Sequence, residues 1–174
     1  MRAAAAATAA VEADPESVAR TTLLNALTGQ ARSRRELSDK LAAKEVPEDV
    51  ATRLLDRFTE LGLIDDEALA HAWVESRQRT KGLAPRALAQ ELRRKGIADD
   101  QAEAALEQID DDDQRVAARA LVDKKLRTLH NVDRTTATRR LAGLLARKGY
   151  SSGLAFSVVR EALGERDDED AGSA

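Results

Sequence analysis

The sequence predicts an all-α protein made of three tandem three-helix repeats in an elongated, curved array. Three observations carry that expectation. Composition is the first: of 174 residues 2% are aromatic, 43% apolar and 34% charged. Leu, Ala, Arg and Glu dominate, and these favour helices, whereas the aromatic and β-branched residues that fill sheet faces are scarce. An internal repeat is the second. The third is punctuation, because prolines, glycines and capping residues fall where the helices of that repeat should begin and end.

The repeat is legible without gaps in SRRELSDKLAAKEVPEDVATRLL, APRALAQELRRKGIADDQAEAAL and ATRRLAGLLARKGYSSGLAFSVV. Arg35, Arg86 and Arg139 come into register, followed by Leu37, Leu88, Leu141 and then Leu41, Leu92, Leu145. Lys44, Lys95 and Lys148 precede Val46, Ile97 and Tyr150, and Ala51, Ala102 and Ala155 follow. The offsets between copies are 51 and 53 residues. Leucines four apart mark the second helix of each copy, and a wider stripe marks the third. In the first copy that stripe is Val50, Ala51, Leu54, Leu55 and Phe58. The first helices read from Val18 to Leu27, Leu69 to Ser76 and Val116 to Leu126.

Each boundary has a physical reason. Pro15, Pro47 and Pro85 stand at helix starts, where a missing N–H costs nothing. Ser33 with Glu36 fits a capping box. Gly62, Gly96 and Gly149 follow helix ends, where a left-handed residue closes the turn. Asp65 is placed to cap the helix after Gly62, with Ile64 and Leu69 stapling its entry. Glu45 stands where the other copies have glycine, so a different turn is expected there. The resulting division is an alanine-rich, disordered 1–14, repeats over 15–66, 67–113 and 114–164, and a disordered acidic tail over 165–174. Units of this size bury little core alone and must lend surface to neighbours.

Chemistry is hard to find. The absence of cysteine excludes disulfides, thiol catalysis and thiolate metal sites. No phosphate loop, dinucleotide fingerprint, nucleophile elbow or zinc-protease motif occurs. His71 and His130 lack ligand spacing. Asp110 to Asp113 lack the glycine and closing glutamate of a calcium loop, and read as negative charge at a helix N-terminus. Trp73 reads as a core or inter-repeat contact. The expectation is therefore no enzyme, no cofactor and no metal. No apolar run approaches the ~18 residues of a membrane span, and a cytoplasmic monomer is expected.

Charge is the strongest lead. The net charge of −3 conceals a third repeat (114–164) with 11 basic and 3 acidic residues. Three acids cannot neutralise eleven bases, so this repeat is expected to bind an acidic surface or phosphates. The candidate contacts there are Lys124, Lys125, Arg127, Arg139, Arg140, Arg147 and Lys148, joined by Arg77 and Lys95 from the second repeat.

The stretch GLIDDEALAHAWVESRQRTKGLAPRALAQELRRKGIADDQAEAAL resembles the RecX family of regulators of the RecA recombinase. The residues that carry the likeness are Asp65, Asp66, Trp73, Arg77, Glu91, Leu92, Lys95, Gly96 and Ile97. Flanking segments extend it over roughly residues 17–164; Leu69 departs, since the family often has phenylalanine there. The resemblance implies a negative regulator that lies along the groove of the RecA–single-stranded DNA filament. It would damp ATP hydrolysis, strand exchange and co-protease activity, and so act in DNA repair and the SOS response. A direct contact with single- or double-stranded DNA through the basic repeat is the alternative.

Overall fold

The computed structural model describes residues 14–172, with side chains described through residue 164. Among them lie nine helices: α1 (Pro15–Leu27), α2 (Arg34–Ala42), α3 (Glu48–Glu60), α4 (Asp66–Lys81), α5 (Pro85–Arg94), α6 (Asp99–Leu106), α7 (Asp111–Leu126), α8 (Arg134–Arg147) and α9 (Ser152–Gly172). They pack in threes, α1 with α2 and α3, α4 with α5 and α6, α7 with α8 and α9. The chain divides into two compact units at Asp65, the first holding α1–α3 and the second α4–α9.

The repeat register is the core register. Leu37, Leu41, Leu88, Leu92, Leu141 and Leu145 are fully buried, as the leucine spacing requires. In α3, Ala51, Leu54, Leu55 and Phe58 line the first core with Ala19 and Leu23 of α1. The turn after each second helix buries the next apolar residue: Val46, Ile97 or Tyr150. These turns have one hydrogen-bond pattern. Val46, Ile97 and Tyr150 donate their N–H to the carbonyls of Leu41, Leu92 and Leu145, while Glu45, Gly96 and Gly149 donate to Ala42, Arg93 and Ala146. That is the Schellman closure of a helix. Gly96 and Gly149 take it with φ of 76° and 91°, and Glu45 takes it with φ 55°. The different turn expected at Glu45 is thus corrected: the closure is the same, held by a side chain poorly suited to it.

Helix starts follow their caps. Ser33 and Glu36 exchange the two bonds of a capping box, as do Asp110 and Asp113. Asp14 caps α1. Asp133 caps α8 by accepting the Thr136 N–H at 2.9 Å, and that backbone bond holds its carboxyl below the ordinary value of 3.8. Asp111–Asp113 form the first turn of α7, so the boundary expected after residue 113 moves back to Asp110. Negative charge suits a helix N-terminus, which lets the acidic run open the helix rather than precede it. Of the pair expected to staple the entry of α4, Ile64 belongs to the first core and Leu69 to the second.

The ends differ from expectation in one respect. The alanine tract over 1–13 lies outside the described residues. The acidic tail, expected to leave the fold at 165, continues the backbone of α9 to Gly172. A helix nucleated by a packed half extends at one hydrogen bond per residue ordered, and the first half of α9 is packed through Ala155, Val158, Val159, Ala162 and Leu163.

Candidate functional site

The second and third repeats meet through a joint that uses side chain and backbone together. The Ala84 N–H donates to the Lys148 carbonyl at 2.9 Å. The Tyr150 hydroxyl donates to the Gly82 carbonyl at 2.9 Å, and the Lys148 ammonium donates to the Lys81 carbonyl at 2.8 Å. Ala84 itself enters the third core beside Val122, Leu141 and Tyr150. Burial pushes the Tyr150 phenol up to about 12, so it remains a neutral donor.

A second polar cluster ties α4 to α5. Trp73 Nε1 donates to Glu91 Oε2 at 2.8 Å, and Arg77 Nε lies 3.2 Å from the same oxygen. The Arg77 guanidinium and the Lys95 ammonium stand 4.0 and 4.3 Å from the centre of the Trp73 ring, within cation–π range. Trp73 is therefore a structural contact, as its setting in the sequence suggested.

These two clusters sort the nine cations that the sequence put forward. Arg77, Lys95 and Lys148 are held inside the second unit by Glu91, Trp73 and the end of α4. Lys124 and Lys125 occupy the last turn of α7 and Arg127 caps it, where positive charge complements the helix dipole. All three are exposed. On α8, Arg139, Arg140 and Arg147 are exposed as well. Within the third repeat Arg115 pairs with Glu161 and Arg119 with Asp123. Lys124, Lys125, Arg127, Arg139, Arg140 and Arg147 have no ion-pair partner among the described residues. At about 100° per residue, Arg140 and Arg147 share an edge of α8, while Arg139 turns toward a groove beside α9.

That groove, of about 810 Å³, lies beside the basic repeat. It is lined by Ala142, Gly143, Ala146 and Ala155, with Arg86, Arg134, Arg139 and Phe156 around them. Phe156 is 54% exposed. Sequence reasoning put Arg139 forward as a candidate contact, used Arg86 only as a marker of register and left Phe156 unassigned. The usable signal was the aromatic residue at 156, one step off the apolar stripe of α9.

Comparison with known proteins agrees with the repeat. Residues 19–58, 65–106 and 111–159 match the family models for the first, second and third three-helix domains of RecX. The regulatory protein RecX of Streptomyces lividans is 50% identical over 156 residues, 90% of this chain and 83% of its own. That of Thermobifida fusca is 43% identical over 145 residues, 83% of this chain and 78% of its own. The crystal structure of RecX from Lactobacillus salivarius superposes with a TM-score of 0.78 at 28% identity, covering 86% of this chain and 97% of that one. The chain belongs to the RecX family.

Proposed function

We propose that this chain is a non-enzymatic negative regulator of the RecA recombinase, one that binds the RecA–single-stranded DNA filament along its groove. Binding there would impede ATP hydrolysis, strand exchange and co-protease activity. The observation that carries the reading is the likeness to relatives named regulatory protein RecX, each aligned across most of both chains. The exposed cations of the third repeat support it, because a charged surface without local counter-ions favours a polyanionic or acidic partner. Three repeats also offer several weak contacts to successive filament subunits, and linked contacts multiply.

The direct test is recombinase ATPase on single-stranded DNA with added protein. Inhibition is expected, and Arg139→Glu, Arg140→Glu and Arg147→Glu together should weaken it while helicity persists. Lys148 stays unchanged in that variant because its ammonium holds the repeat joint. Full inhibition by the triple variant would remove this surface from the reading. The alternative, direct DNA binding, is favoured by the same unpaired cations. It predicts tight gel-shift binding at physiological salt without recombinase, falling steeply as salt rises.

A further inference from the structure

We infer that the groove between α8 and the start of α9 is a docking site for an acidic peptide segment of a protein partner, anchored by one apolar side chain. The inference deepens the proposed function and rests on its reading that the partner is a protein. Its first support is charge. Arg86, Arg134 and Arg139 line the groove, and no carboxylate among the described residues does. Arginine forks bind carboxylates in a bidentate way, which gives direction as well as attraction.

The second support is shape. Ala142, Gly143 and Ala146 recur along one face of α8, and Ala155 faces them from α9, so a lining of small side chains admits close approach. Phe156 stands exposed beside that lining, as the only aromatic among the exposed large apolar residues of the described chain. An apolar anchor set among rim charges is how peptide grooves concentrate binding. The third support is that the groove is built, not incidental. Arg86 lies on α5, in a different repeat from Arg139, and the bonds from Tyr150 and Ala84 hold the two together.

A single nucleic-acid strand fits less well. Such a strand wants cations that track its phosphates beside stacking rings. Here Arg140 and Arg147 lie around α8 from the groove, which presents one exposed ring, Phe156, and not a row of them.

The test is fluorescence anisotropy of a labelled, twelve-residue glutamate-rich peptide carrying one phenylalanine and one leucine, titrated with the full chain. Saturable binding is expected. Arg86→Glu with Arg139→Glu should raise Kd by about tenfold or more, and Phe156→Ala by about fivefold. Arg35→Glu, at the equivalent place in the first repeat, should leave Kd unchanged, and circular dichroism melts should match across the set. No saturable binding, or equal binding by the double variant, overturns the inference. So does a twelve-nucleotide oligothymidine that binds more tightly and loses affinity in the same variants. Absence of recombinase inhibition by the unaltered chain would instead sink the functional reading and leave the peptide titration to judge the groove.

Discussion

The Lys148 ammonium donates a hydrogen bond to the main-chain carbonyl of Lys81 at 2.8 Å, which places a positive charge at the C-terminal end of α4. The last carbonyls of a helix lack intrahelical partners and carry partial negative charge. Lys148 thus belongs to the joint between the second and third repeats. Lys148→Met should cost about 1 kcal/mol of stability in the second unit. Urea unfolding followed by the fluorescence of Trp73, the single tryptophan, measures it. If stability holds and partner binding falls, the ammonium serves binding after all.

Gly149 beside it tolerates no side chain. Its φ is 91°, and a Cβ there would sit 2.6 Å from the Ala87 backbone nitrogen. Backbone cannot yield as a flexible side chain can. Gly149→Ala combines left-handed strain with overpacking and should destabilise the second unit by about 2–4 kcal/mol. The midpoint of the same urea transition should fall accordingly. Gly153→Ala, where nothing lies within 4 Å of the added carbon, is the control.

Glu91 gathers both Trp73 Nε1 and Arg77 on one carboxylate oxygen. Removing it leaves a part-buried indole N–H and a guanidinium without their anion. Glu91→Ala should cost about 2–3 kcal/mol, and Glu91→Gln less, since its amide oxygen still accepts from the indole. The emission of Trp73 should change in both variants. An unshifted spectrum and melt for Glu91→Ala would show that the clasp is not structural.

The second-helix leucines were legible because burial of one helical face must repeat every three or four residues, so Leu37, Leu88 and Leu141 announce themselves. Caps were legible for a similar reason: Ser33 and Glu36 interact across three residues of sequence. Pairings such as Tyr150 with Gly82 span 68 residues and leave no local pattern. Hence Lys148 and Arg77 looked like free cations in sequence. The groove was illegible because it needs Arg86 and Phe156 from separate helices. Glu45 misled in the opposite sense, since the surrounding closure imposes a left-handed backbone whatever residue stands there. Glu45→Gly should therefore stabilise the first unit by about 0.5–1 kcal/mol, seen as a higher unfolding temperature by circular dichroism. A lower one would mean the glutamate side chain contributes more than its backbone costs.

Tyr150 is the single tyrosine of the chain, so its ionisation can be read alone as phenolate absorbance. Burial raises its folded value from the ordinary 10.0 to about 12. A group whose folded value lies above its unfolded one stabilises the fold fully below the unfolded value. That contribution then drains away as pH rises through the folded value. Stability of the second unit should accordingly decline between pH 10 and 12, where the phenolate also forfeits its bond to the Gly82 carbonyl. Tyr150→Phe should begin less stable by about 1 kcal/mol at neutral pH and lose this part of the alkaline decline. An absorbance midpoint near 10 in the folded protein would show that the hydroxyl is not buried at the joint.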